Sequence, residues 1–200
     1  MQSGLVVFRR FRNPGLVWLL AMSAFALAQD AGQGQAPAVD IDTPTFQYPE
    51  RVTALSKVDF KDLTYPANGD ALKLRNGTFH KDDEVARVQA ELGKVWYFGS
   101  HALVSIDYVY CGGSCSADGL LFVFVIKRGH PVITQRFRYD VQVNGAGQSF
   151  DPASRKLTIK ARSNDATAHC CPKQMDIASY RWTGDRFELE KFEKAPVSSK

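Results

Sequence analysis

The feature that most restricts this chain is a block of seven apolar residues, Leu120 to Ile126, closed by Gly119 on one side and by Lys127-Arg128-Gly129 on the other. Seven residues are too few for an isolated helix, and the block is rich in Phe and Val, whose flat or branched side chains fit a pleated surface. A run that is apolar at every position, rather than at every second one, predicts a central strand covered on both faces.

The rest of the pattern has period two, punctuated by turn residues. Leu103, Ser105, Asp107 and Val109 alternate with Val104, Ile106, Tyr108 and Tyr110, a run of strand length and strand composition. Ala71 to Leu74 leads into Asn76-Gly77, which tolerates the positive φ of a tight hairpin turn, and then into Thr78-Phe79. Further strands are expected over Pro131 to Phe137, Val141 to Val143 and Leu157 to Ala161. A closing hairpin joins Ile177–Trp182 to Arg186–Glu190 through Thr183-Gly184-Asp185. Residues 85–92 admit two readings. Val85, Val88 and Leu92 suit a helix capped by Asp82 and ended by Gly93, whereas Ala86, Val88, Ala90 and Leu92 alternate strictly with Arg87, Gln89, Glu91 and Gly93. The strand is favoured. Eight or more strands and at most one short helix make the expected fold mainly β, a single antiparallel sheet or sandwich-like domain stabilised by disulfides.

The N-terminus reads as an export leader. Arg9, Arg10 and Arg12 precede a twelve-residue apolar stretch, Leu16 to Leu27, and Ala26-Leu27-Ala28 forms a small-residue cleavage signal before Gln29. Twelve helical residues reach only about 18 Å at ~1.5 Å each, short of the ~30 Å hydrocarbon core. Residues 1–28 are thus expected to be a signal peptide that leaves no stable membrane insertion after cleavage, and the mature protein to be periplasmic or extracellular. Residues 29–45, poor in large apolar groups, are expected to be a flexible linker, 46–195 the β-rich domain, and 196–200 a disordered tail. The whole chain carries 25 Lys+Arg against 21 Asp+Glu; without the three leader arginines the balance is 22 to 21. A near-neutral surface offers no clustered cations for a phosphate backbone, so no nucleic-acid partner is expected.

Four cysteines, Cys111, Cys115, Cys170 and Cys171, are an even number for an oxidising compartment. Chain entropy favours joining the first two to the last two, which closes about 60 residues and stabilises by ~4 kcal/mol, over a Cys111–Cys115 bridge that closes about five and gives ~2 kcal/mol. Local geometry favours the opposite, because Gly112 and Gly113 let the chain fold back sharply, although a vicinal Cys170–Cys171 bridge then needs a distorted peptide unit.

The run Gly112-Gly113-Ser114, the Phe-rich strand, Gly129-His130-Pro131-Val132 and then His169-Cys170-Cys171-Pro172 before the Tyr180 strand resembles a group of bacterial envelope proteins that includes lipoproteins of the mycobacterial LppP/LprE type. The resemblance covers about Leu72 to Leu189. It implies an envelope location, a β fold and two separate local bridges, Cys111–Cys115 and Cys170–Cys171; it implies no particular activity. The chain departs from the pattern in having no lipidated cysteine. It also has Gly99-Ser100-His101-Ala102 where an acidic Asp-x-Asn-x-Asp-Gly stretch often stands, which removes the ground for a calcium site.

The residues that could carry chemistry are few. His169, Cys170, Cys171, Cys111 and Cys115 are metal-ligand types, but adjacent cysteines cannot readily both ligate one tetrahedral ion, and Cys111 and Cys115 miss the redox Cys-x-x-Cys spacing by one residue. Neither a metal nor a cofactor is expected. Gly112-Gly113-Ser114-Cys115-Ser116 half matches a nucleophile elbow, yet its last glycine is replaced and a strand follows where a helix should, so a glycine-rich turn is the plainer reading. His80, His101, His130 and His169 are scattered. Asp82-Asp83-Glu84 suits a solvated turn, Glu188, Glu190 and Glu193 the wet face of the last strand, and no carboxylate pair is singled out for glycosidase chemistry. The expected recognition surface is the loop with Gly112, Gly113 and Ser114 together with His169 and Pro172, against the plainer reading of these cysteine segments as staples. The chain is therefore expected to be an exported, non-enzymatic binding or envelope-associated module with an envelope or extracellular ligand, the alternative being a secreted or periplasmic hydrolase with unassigned catalytic residues.

Overall fold

A computed structural model describes residues 38–67, 71–163 and 173–197. In chain order its strands are β1 (Val39–Asp42), β2 (Phe46–Gln47), β3 (Thr64–Pro66), β4 (Ala71–Lys73), β5 (Thr78–Asp82), β6 (Arg87–Phe98) and β7 (His101–Gly112). They continue with β8 (Ser114–Lys127), β9 (His130–Asp140), β10 (Gly147–Asp151), β11 (Lys156–Arg162), β12 (Gln174–Trp182) and β13 (Phe187–Pro196). Two single 3-10 turns, Leu55–Lys57 and Phe60–Asp62, are the helical elements among the described residues. The main sheet runs β1-β9-β8-β7-β6-β5, with β2 also on the outer edge of β9; the second runs β10-β11-β12-β13; β3 and β4 pair alone. All pairings are antiparallel.

The apolar block lies in β8, between β7 and β9, and every residue from Asp118 to Phe124 is buried. Its even-numbered side chains, Leu120, Phe122 and Phe124, pack under a cap drawn from residues 48–67 and 71–74, chiefly Tyr48, Phe60, Tyr65 and Leu72. Its odd ones, Leu121 and Val123, meet the second sheet through Phe137, Tyr180, Trp182 and Phe187. A strand covered on both faces has no need of polar alternation, so the seven-residue run is what this position requires.

Residues 87–98 are strand. Within β6 a bulge between Leu92 and Val95 shifts the phase. The Ser105 hydroxyl holds it, accepting from Lys94 N at 2.7 Å and donating to Lys94 O at 3.2 Å. Beyond the bulge, Trp96 and Phe98 turn toward the second sheet while Leu92 and Val95 stay with the cap. The closing hairpin is present, Trp182 opposite Phe187 with Gly184 at φ +115°.

Four expectations need correction. Asn76 and Gly77, at φ 52° and 84°, do form a tight turn closed between Arg75 and Thr78, but the flanking strands part company, β4 to β3 and β5 to β6, so the turn joins two sheets. Val141 to Val143 is not a strand: Asp140 Oδ1 accepts from Gln142 N at 2.7 Å and turns the chain there. The linker expected over 29–45 ends sooner than its composition suggests, because Val39–Asp42 pair with β9, placing Asp40 and Asp42 opposite Arg138 and Arg136. Arg136 donates to Asp42, and Ala38 N donates to the buried Asp176 carboxylate at 3.2 Å. At the other end β13 reaches Pro196, one residue into the expected tail, and Val197 N donates to Lys173 O at 3.0 Å.

Candidate functional site

The long β7–β8 hairpin brings Cys111 and Cys115 directly opposite each other, 4.0 Å apart at Cα, and they are disulfide-bonded. Gly113 makes the tip at φ +78°. At Gly112 the Tyr110 side chain packs over the bare backbone, 2.5 Å from where a Cβ would stand. The base of the loop is tied down by Gln142, whose Nε2 donates to Cys115 O at 2.8 Å, and by Val141 N, which donates to Ala117 O at 3.0 Å. Ser114 is exposed and, among the described residues, its hydroxyl has no imidazole or carboxylate partner. The tip is thus a braced turn. The structure brings Cys111, Gly112, Gly113, Ser114 and Cys115 together at this tip; His169, Cys170, Cys171 and Pro172 lie outside the described residues.

Two of the clefts among the described residues lie towards opposite ends of β6. Near β5, Glu91 stands between Thr78 and Asp107 in register, with Gln89 between His80 and Val109, and together they line a shallow cleft of about 320 Å³. Loss of solvent and the neighbouring Glu91 push the Asp107 carboxyl above its ordinary range. The fold thus sets two carboxylates, Glu91 and Asp107, side by side on the lining of this cleft.

The larger cleft, about 480 Å³, opens at the β6–β7 turn. The sequence Tyr97-Phe98-Gly99-Ser100-His101 builds it. Gly99 takes φ +56° so that two long strands can reverse in two residues. Phe98 goes into the aromatic core, and His101, directly opposite it, lies on its face at 5.6 Å and against Trp182 at 4.6 Å. Tyr97 points the other way and is 48% exposed, braced by Phe60 at 6.5 Å. Leu55, Val125 and Ile126 form the apolar part of the lining, while Thr53, Ser56 and Ser100 contribute hydroxyls. Burial, and secondarily the Arg155 cation, holds the His101 imidazole below its ordinary pKa, so it is neutral at pH 7. Ser100 Oγ lies 3.3 Å from His101 Nδ1. No carboxylate among the described residues completes that contact into a relay.

The cleft is not legible in the sequence, because its polar members are scattered over about 50 residues and only the cap brings Thr53 and Ser56 to the turn. The one local signal was the aromatic-aromatic-Gly-Ser-His run itself. Elsewhere, His130 Nδ1 meets Tyr48 O at 3.1 Å and His80 meets Gln89 Nε2 at 3.4 Å, contacts that anchor the cap and the β5 edge. Among the described residues no group of three or more His, Cys, Asp or Glu converges to hold a metal ion, and no helix is long and apolar enough to cross a membrane. Comparison of the chain with protein-family models, with curated protein sequences and with solved structures finds no match in any of the three.

Proposed function

We propose that the chain is an exported, non-catalytic binding domain that works in the periplasm or outside the cell. The observation that carries the binding half is the His101 cleft: it has the size of a small-ligand site, an aromatic platform and several hydroxyls, and its only nucleophile–base contact, Ser100 with His101, has no third group to orient it. The leader with Ala26-Leu27-Ala28, the disulfide at the β7–β8 tip and the resemblance to envelope lipoproteins support the export half.

Expression of the full chain followed by fractionation and intact-mass analysis tests the export half. The expected outcome is a species beginning at Gln29 outside the cytoplasm, with no free thiol on titration of the unreduced, denatured protein. A cytosolic species with its start methionine and reduced cysteines refutes export. For the binding half, a fragment mixture observed by NMR should move the amides around Gly99 and His101 saturably, and failure of every fragment to do so counts against it.

A secreted hydrolase is the second reading, favoured specifically by the Glu91–Asp107 pair, in which burial and the facing Glu91 raise the Asp107 carboxyl. If it holds, the chain cleaves a chromogenic glycoside and Glu91→Gln and Asp107→Asn each lower the rate at least a hundredfold; equal background rates in all three proteins dismiss it.

A further inference from the structure

We infer that the His101 cleft takes an uncharged, hydroxylated six-membered ring, a neutral pyranose, laid on the face of Tyr97; this deepens the binding reading above and rests on it. The lining settles the charge. None of the residues that wall the cleft is Asp, Glu, Lys or Arg. A ligand bearing a formal charge would lose water there and find no counter-charge, a far greater penalty than desolvating a neutral polar group. The imidazole adds no charge at neutral pH, and Arg155, which biases it, does not line the cleft.

The polar groups narrow the class further. Thr53, Ser56 and Ser100 offer hydroxyls, and neutral His101 offers one donor and one acceptor. Hydroxyls both give and receive hydrogen bonds, and the ligand groups that match them are hydroxyls. A wholly apolar ligand would strip water from these groups and return nothing. The apolar groups fix the shape. Tyr97 keeps nearly half its surface in solvent because Phe60 props the ring from the core side, which leaves a flat face beside Leu55, Val125 and Ile126. A pyranose is such an object, with C–H bonds on its faces and hydroxyls around its rim. The cleft, about 480 Å³, is within the range of ligand sites.

The test is an amide NMR titration of the exported chain with methyl β-glucopyranoside. Gly99, Ser100, His101 and Val125 should shift together and saturate in the millimolar range. Tyr97→Ala and Thr53→Val, both at exposed positions that leave the core intact, should each weaken the sugar at least tenfold while the remaining spectrum stays in place. Glucuronate and glucosamine, the same ring with a charge, should bind at least tenfold more weakly than the neutral glycoside. Charged sugars binding as well as the neutral one, or both variants binding as well as the parent, overturn the inference. If the glycoside produces no shift but indole saturates the same amides, the pyranose is wrong and the binding reading stands; if neither does, both fall.

Discussion

Gly119 shows how one missing carbon can organise a neighbourhood. It lies opposite Tyr139 across β8 and β9, and the Tyr139 ring folds over it: a Cβ at Gly119 would be 2.2 Å from the ring. The aromatic ring thereby covers a backbone that would otherwise be bare. Tyr139 is buried and pinned by its hydroxyl, which donates to Gln148 Oε1. Gly119→Ala is expected to destabilise by about 3 kcal/mol, the upper part of the usual overpacking range, and Tyr139→Leu in the same chain to recover part of that loss. Denaturant unfolding of the single and double variants measures both. His101 offers a second expectation. Its folded pKa lies below the unfolded value of about 6.5, so a proton binds the unfolded chain more tightly. The stabilising effect of the neutral ring is complete above that value and declines as pH falls below it. Unfolding midpoints at about pH 7.5 and 5.5 should differ more in the parent than in His101→Gln, which does not titrate there. Neither residue announced itself in the sequence: Gly119 read as the boundary of an apolar block, His101 as one of four scattered histidines.

At the level of elements, strand identity was largely legible and strand partnership was not. Period-two runs named β7, β9, β11, β12 and the start of β13, because alternation records which face is buried, and the unbroken apolar run named β8. The Asn76-Gly77 turn was legible as backbone geometry, but geometry at a turn does not say whether the flanking strands pair with each other. The β6 bulge was illegible for a related reason, since the Ser105 hydroxyl that holds it lies eleven residues from Lys94 on the next strand. Gln135 is another such link. It is buried in β9, where its Nε2 donates to Phe187 O at 2.9 Å and its Oε1 accepts from Phe187 N at 2.8 Å. The side-chain amide thus stands in for a peptide and fastens the first residue of β13 to the main sheet. Gln135→Leu keeps the bulk and leaves both backbone groups unpaired, for an expected cost of about 3 kcal/mol. Faster hydrogen exchange at Phe187, with that at Leu121 and Val123 slowed or accelerated only in step with global stability, would identify the loss as local to this clasp.

Across the whole molecule, the two consecutive meanders, β5–β9 and β10–β13, are joined by the short Val141–Ala146 turn and meet through the Phe98, Phe137, Tyr180, Trp182 and Phe187 rings. The sandwich was legible in outline from the number of strand-like runs, with the apolar block marking its covered central strand. The start of the folded part was not, because β1 has only Val39 and Ile41 as large apolar groups and draws the rest of its pairing from Asp40 and Asp42 opposite arginines. A chain beginning at Thr43 should therefore be weaker by about 2–3 kcal/mol, through lost burial of Val39 and the lost Asp42–Arg136 pair, than one beginning at Gln35. At 2–4 °C per kcal/mol for a domain of this size, melting should drop by roughly 5–10 °C, read by calorimetry. Equal melting temperatures would return those residues to the tether.

The last strand carries a wider implication. In β13 the charged Glu188, Glu190, Lys191, Glu193 and Lys194 are all exposed along the outer margin of the second sheet. An approaching copy could continue the ladder there only by stripping hydration from five ions, so the margin acts as a gatekeeper against fibril growth. At high concentration the folded chain would gain shelf life from it without any added thermodynamic stability.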